Sequence, residues 1–288
     1  MDLRKAYLEL IKKSLLNELY VELEAQLLYA VLCASHGYQL DLDGFWRSRA
    51  DADLLETLAE AKTQGDTILL QGKQGDRIQG REDLRNYTEY AHTMIGRRRL
   101  DHLQLCVETV LKEEVRGDLV ETGVWRGGSC ILMKAVLAAN TVSERKVWVV
   151  DSFAGLPAPS HAEDTAYDMS REKFPFLAVS LDQVRELFNR YDLLDDQVKF
   201  LPGWFRDSLP QAPIQRIAVL RIDADLFEST SDALTMLYSK VSKGGYIIID
   251  DYRVLPPCKR AVDSFRMSVG IQTPLKDIDN YGVFWRKS

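Results

Sequence analysis

Four aspartates close two apolar stretches of the chain, and their type and spacing suit metal and proton chemistry. Asp223 and Asp225 follow the run Ile217–Ile222, and Asp250 and Asp251 follow the run Y-I-I-I. Both runs are typical of buried parallel strands, whose carboxyl ends meet in one crevice of an α/β sheet. Carboxylates crowded there repel each other unless a cation joins them, and Mg²⁺ prefers oxygen ligands. Although a single such acid would simply cap a helix or face water, two matched pairs predict a site in which one carboxylate binds metal and another takes a proton.

A glycine-containing loop precedes these strands. The segment E-T-G-V-W-R-G-G-S at 121–129 joins a predicted strand to a helix, where glycines admit a ligand close to the backbone and helix amides favour negative charge. The next predicted strand ends at Asp151, a position from which an acid accepts hydrogen bonds from ribose hydroxyls. The loop lacks the G-x-G-x-x-G spacing, which disfavours a dehydrogenase. Loop and acid together predict a nucleoside-containing cofactor.

The elements that must position these residues alternate between strand and helix from residue 118 onward. This alternation predicts an α/β fold with a doubly wound parallel sheet, and two strand-like pieces at 274–278 and 281–286 predict an antiparallel hairpin at its edge. Predicted helices lie near Ser129–Ala139, Leu181–Tyr191, Ser231–Val241 and Cys258–Val269. The predicted strands are Asp118–Val124, Lys146–Ser152, Gln197–Pro202, Ile217–Ile222 and Gly245–Asp250.

Two further regions complete the organisation. Residues 1–115 are predicted to be an N-terminal helical extension that packs on a core of residues 116–288, with an irregular stretch at 36–86 that contains a helix near Asp53–Thr63. Residues 153–180 form a connection too long for a simple crossover, and we expect a lid over the crevice. His161 in this lid is a rival for the base, although a lone histidine is more often structural.

Composition limits the class of protein. The chain has 288 residues, 46% of them hydrophobic, and a net charge of −6, which argues against a nucleic-acid surface. No signal peptide or membrane-spanning stretch is visible, so we expect no membrane partner. The four cysteines lack C-x-x-C spacing and are predicted to be thiols in a reducing compartment, the cytoplasm.

Four segments together resemble one family. E-T-G-V-W-R-G-G-S at 121–129, V-D-S-F-A-G-L-P at 150–157, R-I-D-A-D-L-F-E-S-T at 221–230 and G-G-Y-I-I-I-D-D-Y at 244–252 are similar to the macrocin O-methyltransferase family. The resemblance implies a class I methyltransferase fold with a Rossmann-like, seven-stranded, mostly parallel sheet. It also implies an enzyme that uses S-adenosylmethionine and Mg²⁺ to methylate a sugar hydroxyl of a glycosylated secondary metabolite, leaving S-adenosylhomocysteine.

The same resemblance implies roles for particular residues. Asp225 would be the general base, and the metal ligands would be Asp223, Asp250 and Asp251, with Asp223 also near the cofactor. The other expected cofactor-binding residues are Met94, Glu121, Gly123, Arg126, Gly127, Ser129, Asp151, Ser152, Phe153, Gly203 and Trp204.

Alternatives to this function remain open from the sequence. A catechol-like O-methyltransferase would use a similar metal and fold on a vicinal aromatic diol. A cofactor-binding scaffold without catalysis is a second alternative, which the intact set of aspartates argues against. The apolar side of the N-terminal helices needs a partner, so we expect a homodimer or a higher homo-oligomer.

Overall fold

The structure, a computed structural model, describes residues 2–35, 37, 39–64 and 90–288. The chain divides into two compact units, which we call the helical unit (Glu9–Arg98) and the sheet unit (Met1–Leu8 with Arg99–Ser288). The assignment of residues 1–115 as a cap on the core remains a prediction. Of the stretch 36–86 predicted to be irregular, residues 36, 38 and 65–86 lie outside the described residues.

The sheet unit contains a seven-stranded sheet in the order β3-β2-β1-β4-β5-β7-β6. The first five strands are parallel, whereas β7 runs antiparallel to β5 and to β6. The strand order reverses between β1 and β4, and ligands of such sheets bind outside the carboxyl ends at that point. The strands are β1 (Asp118–Thr122), β2 (Val147–Asp151), β3 (Val198–Pro202), β4 (Ile217–Ile222), β5 (Val241–Ile249), β6 (Lys276–Asp277) and β7 (Val283–Arg286). This architecture confirms the predicted fold class.

Helices surround the sheet and also form the helical unit. Among the described residues, no helix has the length and apolar character needed to cross a membrane. Short 3₁₀ turns lie at Ser48–Ala50, Ala162–Asp164, Pro175–Leu177, Leu209–Gln211 and Tyr238–Lys240. The α-helices are α1 (Leu3–Leu15), α2 (Val21–Ser35), α3 (Leu42–Arg47), α4 (Ala52–Gln64), α5 (Gly96–Lys112), α6 (Gly128–Ala139), α7 (Leu181–Arg190), α8 (Phe205–Ser208), α9 (Phe227–Leu237) and α10 (Pro256–Ser268).

Local sequence explains most of these boundaries. All six residues of β4 are buried, as expected for a strand in the middle of a sheet covered on both faces. Helix α7 begins at a capping box in which the Ser180 hydroxyl accepts from the Gln183 amide and the Gln183 side chain accepts from the Ser180 amide. The predicted parallel strands are confirmed. Helix α9 begins at Phe227 rather than at the predicted Ser231, because Asp164, far earlier in the chain, accepts its first amide hydrogens.

The helical unit has its own small core. Ala25, Leu28 and Leu58 are buried together between α2 and α4. Glu24 is also buried and pairs with Lys62 at 2.7 Å. The Asn17 side-chain amide donates to the same carboxylate at 2.8 Å, so the buried charge has several partners.

Gly123 allows the ends of β1 and β4 to approach each other closely. Its φ angle is +82°, and a Cβ atom built there would lie 1.7 Å from the Asp223 carbonyl oxygen. The Gly123 amide donates to the Val150 carbonyl at 2.9 Å, so β2 fixes the other side of the same turn. Any side chain at this position would push apart the strand ends that carry the candidate site.

The replacement Gly123→Ala should therefore cost about 2–5 kcal/mol in the free energy of unfolding, from backbone strain and from the clash with Asp223. Gly270→Ala is the matched control, because Gly270 has a φ of +68° but a Cβ atom added there would meet no other atom within 4 Å. Urea denaturation would measure both variants. Equal losses for the two would contradict the close approach at Gly123.

Candidate active site

Three of the predicted aspartates form a compact acidic group at the carboxyl ends of β4 and β5. Asp223, Asp225 and Asp251 each place one carboxylate oxygen within 4.8 Å of the others. The parallel register pairs Ile222 with Ile249, so the residues that follow the two strands meet at one edge of the sheet. The expectation that these strand ends share one crevice is met for these three residues.

Asp250 is placed differently from the other three aspartates. One of its oxygens contacts Arg99 and the other contacts Arg221, and all three side chains are almost completely buried. Asp251, the next residue, has different neighbours and lies with Asp223 and Asp225. Asp250 is not part of the compact acidic group, and its role as a metal ligand remains a prediction.

Arg221 in β4 holds carboxylates from three strands. Its guanidinium is 1% exposed and donates to Asp223 at 2.9 Å, and it also contacts Glu121 and Asp250. The parallel register places Glu121 directly opposite Arg221. No role was predicted for Arg221 from the sequence. A charged residue inside the apolar run I-A-V-L-R-I is nevertheless a signal of a buried, paired charge.

Glu121, predicted to contact the cofactor, is 1% exposed and fully engaged. Its Oε1 accepts from the Ser129 hydroxyl at 2.5 Å as well as from Arg221, and its Oε2 accepts from the Cys130 thiol at 2.8 Å. Glu121 thus ties the first turn of α6 to the sheet. In the described geometry it acts as a counter-ion and an anchor for the glycine loop.

Burial and repulsion between carboxylates raise the pKa values of all three members of the acidic group. Burial raises the pKa of Asp225 to about 8, and the charge of Asp223 adds to the shift. Burial, together with Asp250, raises the pKa of Asp223 to about 6, although Arg221 opposes the shift. Burial and the neighbouring aspartates raise the pKa of Asp251 well above its ordinary value. The neighbouring cations therefore do not balance the negative charge that the three carboxylates would carry when ionised.

The donor set of this group fits a hard divalent cation. The Oδ2 atom of Asp251 is buried and has no hydrogen-bond partner in the part of the chain that the structure describes, a costly state for a carboxylate oxygen. Carboxylate oxygens from three residues lie at a separation that one ion could bridge, and Mg²⁺ and Ca²⁺ both bind such ligands.

Asp151 at the end of β2 braces the glycine loop. Its Oδ2 accepts from the Val124 amide at 2.7 Å and its Oδ1 accepts from the Phe153 amide at 2.8 Å. The Ser152 hydroxyl also lies 3.4 Å from Oδ1, so the carboxylate binds the turns after both β1 and β2. Burial raises the pKa of Asp151, although these two amides oppose the shift.

The other predicted cofactor residues of the sheet unit lie in the loops that follow β1, β2 and β3. The Arg126 guanidinium stacks 4.2 Å from the Trp125 ring, and the Ser152 hydroxyl donates to the Gly155 carbonyl at 2.7 Å. The Gly203 amide donates to the Asp151 carbonyl at 2.9 Å. Gly127 precedes α6, Phe153 follows β2, and Trp204 precedes α8. Met94 belongs to the helical unit, so its cofactor contact remains a prediction outside this geometry.

The segment 153–180 is an ordered part of the sheet unit. His161 stacks on Phe227 with ring centroids 4.6 Å apart, and its Nδ1 accepts from the Glu163 amide at 3.2 Å. The Trp125 indole donates to the Phe176 carbonyl at 3.0 Å, which links the segment to the glycine loop. With one nitrogen engaged and its ring stacked, His161 has a structural environment.

Comparisons with known proteins agree with this geometry. A family model described as macrocin-O-methyltransferase (TylF) matches residues 4–287. Demethyldecarbamoylnovobiocin O-methyltransferase of Streptomyces niveus is 53% identical over 74% of this chain and 82% of its own length. The 8-demethyl-8-(2,3-dimethoxy-alpha-L-rhamnosyl)-tetracenomycin-C 4'-O-methyltransferase of Streptomyces olivaceus is 56% identical over 70% of this chain and 78% of its own.

A solved structure extends the match to the whole chain. The O-methyltransferase NovP is 42% identical, covers 99% of both chains and superposes with a TM-score of 0.78. The calicheamicin methyltransferase CalS11, at 19% identity and a TM-score of 0.53 over 65% of this chain, supports the fold alone. The chain belongs to the macrocin O-methyltransferase family and is an S-adenosylmethionine-dependent O-methyltransferase.

Proposed function

We propose that this enzyme methylates a sugar hydroxyl of a glycosylated secondary metabolite and requires Mg²⁺. The observation that carries the proposal is the compact acidic group Asp223, Asp225 and Asp251 beside the glycine loop. The Streptomyces olivaceus relative, whose name gives a rhamnosyl tetracenomycin as substrate, supports a sugar acceptor. The proposed acceptor is a small glycosylated molecule, and the proposed location of the enzyme is the cytoplasm. All four cysteines are free thiols, as expected in a reducing compartment.

Asp223 and Asp251 are two of the proposed metal ligands, and their place in the compact acidic group supports this role. Asp250 is the proposed third ligand, because each of its oxygens keeps a lone pair beside its arginine partner. A divalent cation bound by these residues would lower the pKa of the acceptor hydroxyl and orient it.

Asp225 is the proposed general base. It adjoins the ligands without an arginine contact among its described interactions, and its raised pKa brings it near the operating pH, where proton transfer is most effective. Asp225 would take the proton of the acceptor hydroxyl. S-adenosylmethionine, when bound, would supply the methyl group to the acceptor oxygen, with the electron pair of the broken carbon–sulfur bond remaining on sulfur in S-adenosylhomocysteine. The loops after β1, β2 and β3 would hold and orient the cofactor for this transfer.

Asp225→Asn should lower turnover about 10²–10⁴-fold, because it removes the base while keeping the shape of the side chain. Binding of S-adenosylhomocysteine should persist. The measurement is methyl transfer to a panel of glycosylated natural products and catechols, with calorimetric titration of the cofactor product. Asp207→Asn, an exposed change beyond β3, is the control and should leave turnover unaltered. Full turnover by Asp225→Asn would contradict the base assignment, and transfer to catechols alone would contradict the sugar acceptor.

Mg²⁺ affinity should rise between about pH 6 and about pH 8, because the ion must displace the proton of its ligand Asp223 and its charge disfavours the protonated form of the adjacent Asp225. Each displaced proton contributes up to about tenfold per pH unit. Without the ion, these groups have higher pKa values folded than unfolded, so their contribution to stability falls as pH rises across this range. Thermal unfolding with and without Mg²⁺ across the pH series would show a stabilisation that grows with pH. A stabilisation by Mg²⁺ that does not change with pH, or that persists in Asp251→Asn, would mean that the ion binds elsewhere.

A homodimer or higher homo-oligomer is also proposed. Leu3 and Leu10 on α1 and Tyr20 before α2 are exposed apolar side chains of the N-terminal helices. Burying such groups against a second copy would remove apolar surface from water. Light scattering should give at least twice the monomer mass, and a monomer at micromolar concentration would contradict the proposal.

A further inference from the structure

Helix α9 lacks a cap from its own sequence. Its first residues follow Leu226, whose side chain cannot accept a hydrogen bond, yet the first amides of any helix need acceptors. Asp164, in the segment 153–180, supplies them. Its two oxygens accept from the Phe227 amide at 2.7 Å and from the Glu228 amide at 3.1 Å, and Asp164 is 1% exposed. A carboxylate at this end of a helix is also favoured by the helix dipole.

The turn that α9 follows contains the proposed base. The Leu226 amide donates to the Ala224 carbonyl at 2.6 Å, which closes a three-residue turn centred on Asp225. The φ angle of Asp225 is +59°, a value that few non-glycine residues adopt. Turns of this kind are strained and persist only where the surrounding structure holds them. One end of the turn is fixed by β4, and the other end is fixed by the start of α9.

Other contacts join the same part of the segment to α9 and α10. The Ser160 hydroxyl donates to the Glu228 carboxylate at 2.5 Å, beside the stacked pair of His161 and Phe227. Arg260 of α10 pairs with the Glu163 carboxylate and donates to its carbonyl at 3.1 Å. Residues 160–164 therefore dock against both helices that follow the acidic strand ends, with the buried Asp164 at the centre of the contact.

We infer that Asp164 is a positioning residue for methyl transfer, which couples the docking of the segment 153–180 to the conformation of Asp225. When residues 160–164 are docked, the capped start of α9 holds Asp225 in its turn beside Asp223 and Asp251. When they are undocked, the first turn of α9 loses two acceptors and the strained turn relaxes. The inference rests on the proposed role of Asp225, but the coupling itself is a property of the free protein.

The test compares Asp164→Ala and Asp164→Asn with Asp168→Asn. Asp168 lies in the same segment, and its Oδ1 accepts from the Ser170 amide at 3.1 Å, a bond that the side-chain carbonyl of an asparagine can keep. Hydrogen exchange of the amides of residues 224–228, measured in the free protein, should accelerate at least about tenfold in Asp164→Ala and less in Asp164→Asn, which keeps one acceptor. Asp168→Asn should match the parent protein.

Kinetics give the second readout. In Asp164→Ala the value of kcat should fall about 10–100-fold, while the affinity for S-adenosylhomocysteine changes less than about threefold, because the defect lies in the placement of the base. Asp164→Asn should show a smaller loss in the same direction, and it serves as the test variant if the alanine variant does not fold.

Two results would overturn the inference. One is faster exchange at residues 224–228 with unchanged kcat, which would make Asp164 a helix cap without a role in the reaction. The other is unchanged exchange in both Asp164 variants, which would remove the coupling. Hydrogen exchange does not require a methyl acceptor, so it tests the coupling even if no methyl transfer is found. A failure to find methyl transfer would count against the proposed function instead.

Discussion

The site depends on the ion pairs that the buried guanidinium of Arg221 makes. It lies in β4, between β1 and β5 in the sheet, and it is in contact with Glu121 of β1, with Asp223 after its own strand, and with Asp250 after β5. A buried charge is tolerated only when it is paired, and breaking such a pair by removing one partner costs about 3–5 kcal/mol. The three strand ends are therefore held in register by charge as well as by backbone hydrogen bonds.

This arrangement divides the acids of the crevice into two sets. Glu121 and Asp250 have arginine partners in the free protein, and Arg99, which contacts Asp250, also pairs with Asp279 at 3.1 Å. Asp225 and Asp251 have raised pKa values, and the Oδ2 of Asp251 has no hydrogen-bond partner among the described residues. The first set fixes the geometry of the site. The second set carries the unmet demand for positive charge, which protons or a divalent cation can satisfy.

The sequence was sufficient for the strands and the crevice, because apolar runs and the rule for parallel strand ends are local signals. It was not sufficient for the partners inside the crevice. Asp250 and Asp251 are adjacent in sequence but have different partners, since Asp250 contacts two arginines and Asp251 lies in the acidic group. The contacts of Arg221 come from residues about a hundred positions away in one case and only two in another. The start of α9 at Phe227 was also missed, since its cap comes from Asp164 in another segment. Such partners depend on the tertiary fold and leave no periodic pattern.

Strained backbone occurs after three neighbouring strands at the same edge of the sheet. Trp125 after β1, Phe153 after β2 and Asp225 after β4 all have positive φ angles, of 47°, 54° and 59°. Such backbone costs about 1–3 kcal/mol for each residue and persists only where neighbouring structure determines it. Asp151 holds the first two turns through the amides of Val124 and Phe153, and the segment 153–180 holds the third through α9. The loops that we expect to contact the cofactor and the turn that carries the proposed base are thus both stabilised by carboxylates that bind backbone amides. A change at either carboxylate should relax the local backbone before it disturbs the sheet.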